Sequence, residues 1–156
     1  MSLMRWLHGA YKVIPRRLRA PLLERLTHPI ARRIVANRHP VGGPIAVAGL
    51  LQSTLGIGQA ARLTLKALEH LGANVRHVDL SNVFYWHKRI SAELGQRAQT
   101  DEGGTVIIHM NPPEFPLTIT ALGRDLLRNK RIVGYWVWEL AGLPQKWCSA
   151  FNLVDE

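Results

Sequence analysis

The sequence predicts an open α/β sheet of parallel strands. Short apolar runs alternate with helical periodicity, and each run ends in polar or aromatic residues at a turn. Ile45-Ala46-Val47-Ala48-Gly49-Leu50-Leu51 is a continuous apolar run of strand length, as expected of a strand covered on both faces. The polar turn Gln52-Ser53-Thr54, then Gly56-Ile57-Gly58, leads into a helix expected from about Gln59 to Leu71. Ala61, Leu65, Leu68 and Leu71 share one face of that helix, and Gly72 stops it. Val75 to Leu80 is the second strand, completing a βαβ unit.

The later elements follow the same alternation. Phe84-Tyr85-Trp86-His87 is expected to cover the sheet or a cleft, and Asp101-Glu102-Gly103-Gly104 reads as a turn. Thr105 to His109 is a third strand. Pro116 opens a helix to about Arg128, with Ile119, Leu122 and Leu126 inward. Arg131 to Trp136 is a fourth strand, and Pro144 opens a last helix carrying Trp147, Phe151 and Val154 on one face. Cys148 beside Trp147 reads as a small core residue.

The 156 residues suffice for one domain with a core. A single cysteine permits no internal disulfide, which suits a reducing compartment such as the cytoplasm. No apolar run is long enough to span a bilayer. Charge is unevenly spread. Residues 1–40 hold nine Lys/Arg and one acid, whereas residues 41–156 hold eleven Lys/Arg and ten acids. The high net charge thus belongs to an N-terminal arm, which argues against a nucleic-acid-binding fold with basic residues on a folded face. Pro15, Pro21, Pro29 and Pro40 should limit any helix in the arm to a turn or two. The arm is either loosely packed or an anchor for anionic lipid, with Trp6, Tyr11 and leucines inserting shallowly at a membrane's inner face.

In open parallel sheets, ligands sit beyond the carboxyl ends of the strands. Those ends carry Gln52/Ser53, Asp79/Ser81, His109/Asn111 and Trp138/Glu139. Gly56 and Gly58 precede a helix N-terminus, where exposed N–H groups and the helix dipole favour a phosphate. His109 could hydrogen-bond a ligand hydroxyl or phosphate, although such a histidine is more often satisfied by backbone. Asn111 before Pro112-Pro113 is held by a rigid turn. Three of the five tryptophans (Trp136, Trp138 and Trp147) fall within twelve residues beside Glu139, as in a wall for a sugar. No paired carboxylates, nucleophile elbow or metal-ligand spacing is visible, so no catalytic residue or metal site is assigned. A rival pattern exists: Gly56-Ile57-Gly58-Gln59-Ala60-Ala61 fits G-x-G-x-x-A, with Asp79 about 20 residues on, as in a dinucleotide-binding oxidoreductase. The intervening Gln52–Leu55 makes this turn longer than that fingerprint requires.

Leu55-Gly56-Ile57-Gly58-Gln59-Ala60-Ala61-Arg62, followed by Ala67-Leu68 and Leu71-Gly72, resembles the opening of glycosyltransferases with the GT-B fold. Within that fold it looks like the retaining, group 1 (mannosyltransferase-like) transferases of bacterial polysaccharide assembly. Gly134-Tyr135-Trp136-Val137-Trp138-Glu139-Leu140, with Leu143-Pro144, Trp147, Phe151 and Val154-Asp155-Glu156, is similar to a more specific stretch in such enzymes. The resemblance covers roughly residues 44–156. It implies a Rossmann-like domain that is one half of a GT-B fold, preceded by the basic arm. Gly56 and Gly58 would approach the phosphates of a nucleotide-sugar donor, a co-substrate in place of any cofactor. Asn111, Trp138 and Glu139 would line the cleft for a saccharide or lipid-linked acceptor, and the strand-end and aromatic residues Ser53, His109 and Trp136 are expected in the same cleft from their own positions. The family's E-x7-E donor motif lies in a second domain, beyond Glu156, so this polypeptide alone is expected to be inactive. A non-catalytic remnant of such an enzyme is the remaining alternative.

Overall fold

The computed structural model describes residues 16–84, 103–139 and 141–156. The expectations for Trp6, Tyr11, the segment 85–87 and the turn residues Asp101-Glu102 lie outside them. Helix α1 (Arg16–Val35) precedes strand β1 (Ile45–Gly49), helix α2 (Gly56–His70), strand β2 (Val75–Asp79) and a single turn α3 (Ser81–Phe84). Strand β3 (Thr105–His109), a 3-10 turn at Pro112–Glu114, helix α4 (Phe115–Leu127), strand β4 (Arg131–Tyr135) and a 3-10 helix at Gln145–Leu153 complete the fold. All four strands are parallel, in the order β2-β1-β3-β4. This is the open α/β sheet the sequence predicts, with a Rossmann-like architecture.

Alternation along β1 divides the core into two layers. Ala46 and Ala48 join Val106, Ile108, Ile132, Phe115, Ile119 and Leu127 on one face. Val47 packs with Leu51, Ala61, Leu65, Leu68 and Val75 on the other, beneath α2. Leu50 and Leu51, read as part of the strand, lie just past its end and are buried in opposite layers. Leu71 is not on the inner face of α2. It caps the C-terminus there and is 78% exposed, because the helix ends at His70.

Three elements depart further from the sequence-based expectation. Helix α1 runs twenty residues straight through Pro21 and Pro29. Both prolines are exposed, so the carbonyls that lose their N–H partners lie on the outward side, where water can satisfy them. The inner side is held by tertiary packing: Ala31 is fully buried in the core, with Ile34 and Val35 against it. Helix α4 is broken at Gly123, whose φ of 76° lies in the left-handed region that glycine tolerates. The C-terminal segment is a 3-10 helix, and its tighter turn buries Ala150 and Leu153 while leaving Phe151 half exposed and Cys148 exposed. Cys148 is therefore a surface residue, not a core one.

Arg38 joins these layers. Its Nε donates to the Val35 carbonyl at the end of α1 (3.0 Å), and its guanidinium donates to the Lys130 carbonyl and pairs with Asp155 (3.0 Å). Asp155 in turn accepts the backbone N–H of Ile132 at 2.7 Å. The last residues thus lie along the outer edge of β4, where Gly134 N–H also donates to the Glu156 carbonyl.

Candidate functional site at the carboxyl edge of the sheet

The register aligns the final residue of each strand into one row: Asp79, Gly49, His109 and Tyr135. Partnered residues of parallel strands project to the same face, and here that face is the one α2 covers, since Val47 lies two residues before Gly49. Gly49 is needed for close approach. A Cβ there would lie 2.9 Å from the Ala61 Cβ of α2 and 3.2 Å from the His109 Cβ.

Between β1 and α2 the chain makes a tight, heavily braced turn. Asp79 Oδ1 accepts the Leu51 N–H (3.1 Å), the Ser81 N–H (3.0 Å) and the Ser81 hydroxyl (2.6 Å). Arg62, one turn into α2, reaches back to donate to the Leu51 and Ser53 carbonyls at 2.8 and 2.7 Å. Ser53 Oγ accepts the Leu55 N–H at 3.1 Å. Ser53 is thereby occupied within the turn. Asp79 braces the turn through Oδ1, while its Oδ2 is buried with no hydrogen-bond partner. In a dinucleotide site the corresponding acid would instead hold a ribose.

The two glycines of the loop differ. Both belong to the first turn of α2, not to a loop ahead of it. Gly58 is buried, and a Cβ there would lie 2.5 Å from the Leu50 carbonyl oxygen. Its smallness serves helix–turn packing. Gly56 has nothing within 4 Å of where a Cβ would stand, and Leu55 at the N-cap offers no side-chain acceptor. The first turn of α2 therefore has no capping side chain, and Gly56 at its start is exposed.

His109 is the most unusual residue of the row. It is fully buried, and neither ring nitrogen has a hydrogen-bond partner. Its ring lies 4.4 Å from that of Tyr135, tilted by 31°. Burial pushes its pKa down to about 4, so the imidazole is neutral at pH 7, with one nitrogen a donor and the other an acceptor. The backbone satisfaction that the sequence favoured for this histidine is absent.

The aromatic stretch after β4 divides. Trp136 turns inward, its ring 5.9 Å from Phe115 and 5.0 Å from Phe151, and its indole nitrogen is buried without a partner. It packs in the layer opposite α2. Trp138 lies outside, edge-on to Trp147 at 4.4 Å, with its indole N–H donating to the Gly142 carbonyl (2.9 Å). Glu139 is exposed. Asn111 links the tips of β3 and β4, since its Oδ1 accepts the Val137 N–H at 2.9 Å. Gly58 follows β1 and Trp138 follows β4, two strands with β3 between them. The Trp138 ledge leans on the C-terminal 3-10 helix, while the glycine turn and His109 lie on the α2 side.

Sequence reasoning passed over Arg62 as a brace and Tyr135 as a member of the row. The alternation of β4 was the available signal for Tyr135, because it sets that residue on the face opposite Trp136. Among the described residues no three His, Cys, Asp or Glu side chains gather as a metal site. A cleft of about 330 Å³ opens elsewhere, between the C-terminal ends of α1 and α4, lined by Ile34, Arg38, Arg124 and Arg128. It lies near the start of β4, away from the carboxyl edge. Comparison of the chain with family models, curated proteins and solved structures gave no match.

Proposed function

We propose that this chain is the N-terminal, acceptor-side part of an enzyme that transfers a glycosyl group from a nucleotide sugar to a saccharide or lipid-linked acceptor. The observation that carries the proposal is the carboxyl edge of the parallel sheet, where the exposed Trp138 and Glu139 follow β4 and the first turn of α2 follows β1. His109 lies behind this edge, buried, neutral and with both ring nitrogens unpartnered. The uncapped first turn of α2 lies at the same edge and supplies N–H groups suited to a diphosphate. The exposed Trp138 offers an apolar ring to the C–H face of a sugar, and Asn111 steadies the chain that carries it.

The chemistry such a site would supply is electrostatic. A leaving nucleoside diphosphate gains negative charge, which oriented N–H donors stabilise without reorganising, while the acceptor hydroxyl is held in position. His109 exposes no ring surface, so in this scheme it lies behind the site and does not touch the ligand. Its low pKa makes it neither a cation nor an effective proton reservoir near neutrality.

The test is an amide NMR titration of the chain with UDP-glucose, GDP-mannose and, separately, NADH. A nucleotide sugar should shift the Gly56 to Gly58 amides. Saturable NADH binding at those amides, with no response to either nucleotide sugar, would transfer the site to the dinucleotide class. In an enzyme completed by a donor-binding domain, Trp138→Ala should weaken acceptor use, raising KM about tenfold or more. Unchanged kinetics would remove Trp138 from the site.

A further inference from the structure

Helix α1 has two apolar faces, and among the described residues only one of them is covered. Thr27, Ala31, Ile34 and Val35 turn toward the body of the protein. Leu22, Leu26 and Ile30 are 40%, 58% and 47% exposed, although leucine and isoleucine ordinarily seek burial. Their spacing of four advances the helix face by only about 40° per step, so the three form one stripe. Single exposed leucines need no explanation, whereas an aligned stripe opposite a docked face does.

The charges around the stripe indicate what covers it. Arg25 and Arg33 are exposed and flank or interleave with the three apolar side chains on the outward side. Glu24, the one acid among residues 1–40, falls on the far side of the helix by the same geometry. Residues 1–40 carry nine of the chain's twenty basic residues, while the remainder of the chain is close to neutral. Among the described residues no helix is long and apolar enough to cross a membrane. An apolar stripe edged by guanidinium groups, on a helix that cannot span, matches the interface of an anionic bilayer. Acyl chains would take the leucines, and headgroup phosphates would take the arginines.

We propose that the outward face of α1, centred on Leu22, Leu26 and Ile30 with Arg25 and Arg33, docks the protein onto anionic phospholipid. The helix would lie in the membrane plane while its inner face stays packed on α4 and the C-terminal 3-10 helix. This goes beyond the proposed glycosyl transfer and does not depend on it. It narrows the expectation for the basic arm to named leucine, isoleucine and arginine side chains of one face of α1.

The experiment is co-sedimentation of the full chain with phosphatidylcholine vesicles, with and without phosphatidylglycerol, over a salt series. Binding should require phosphatidylglycerol and weaken as salt rises. The double variant Leu26→Gln/Ile30→Gln should bind at least about tenfold more weakly, as should Arg25→Glu/Arg33→Glu. All four positions are exposed, so circular dichroism and Tm should match the parent chain and separate lost docking from lost folding. Equal binding to pure phosphatidylcholine, no binding to either vesicle, or unchanged binding of the folded Leu26→Gln/Ile30→Gln variant would each overturn the proposal. So would a concentration-dependent dimer, seen by light scattering, that this double variant abolishes, since a second copy would then be the occupant.

Discussion

Gly58→Ala and Gly56→Ala should change stability differently, although the two glycines stand two residues apart in one helical turn. In an unobstructed helix interior, replacing glycine with alanine gains about 1 kcal/mol. At Gly58 the new Cβ would stand 2.5 Å from the Leu50 carbonyl oxygen and 3.0 Å from that of Ser53. Both are backbone atoms, and Arg62 fixes the turn that carries them by binding the Leu51 and Ser53 carbonyls. The turn cannot yield without straining those contacts. Overpacking of this kind costs about 1–3 kcal/mol, so the net loss is about 1 kcal/mol and at most about 2. For a chain of this size that lowers Tm by roughly 2–8 °C. At Gly56 nothing lies within 4 Å, and the change should stay within a few tenths of a kcal/mol of neutral. Urea denaturation followed by circular dichroism reads both variants, with an unchanged m-value as the sign that only stability moved. A Gly58→Ala protein as stable as the Gly56→Ala protein would refute the packing argument. The same pair bears on function. If only Gly56 borders a ligand, Gly56→Ala should disturb nucleotide-sugar binding in a protein that is otherwise intact.

Further outcomes follow from named contacts. His109 is held neutral in the folded chain down to about pH 4, whereas the unfolded chain protonates it near 6.5. Its contribution is therefore steady above about pH 6.5 and is lost progressively as pH falls toward 4, by up to about 3 kcal/mol. Urea midpoints against pH should show this slope, and His109→Gln should flatten it. Asp79→Ala removes the acceptor shared by the Leu51 N–H, the Ser81 N–H and the Ser81 hydroxyl, while the Leu51 N–H keeps the Gly49 carbonyl at 2.9 Å, so a loss of about 1 kcal/mol is expected in the same denaturation assay. Asp79→Asn keeps an acceptor and should cost less. Arg38→Ala removes the Val35 and Lys130 carbonyl contacts together with the Asp155 pair. A loss of about 2 kcal/mol is expected, accompanied by faster hydrogen exchange at Ile132 as Asp155 loosens.

Much of the fold was legible because strand formation here is a local property. The run Ile45–Gly49 and the β-branched runs Thr105–His109 and Arg131–Tyr135 state their own structure, and each is bounded by turn residues. That consecutive strands separated by a helix run parallel follows from chain connectivity. The positions of Gly56, Asn111, Trp138 and Glu139 at one edge followed as well, since each comes directly after a strand or opens the helix behind one.

What the sequence could not decide depended on partners distant in the chain. Pro21 and Pro29 argue for short helices when read alone, yet Ala31, Ile34 and Val35 join the core beside α4 and hold α1 continuous. Trp136 and Trp138 are the same residue type two apart. Only the layer formed by Phe115 and Phe151 makes the first a core ring and leaves the second on the surface. His109 looked like a histidine its own backbone would satisfy. The row that sets it beside Gly49 and Tyr135, its ring nitrogens unpartnered among the described residues, exists only once the strands are in register. Local propensity is carried by neighbouring residues, whereas burial and hydrogen-bond satisfaction are set by whichever atoms the fold brings near, and those come from elsewhere in the chain.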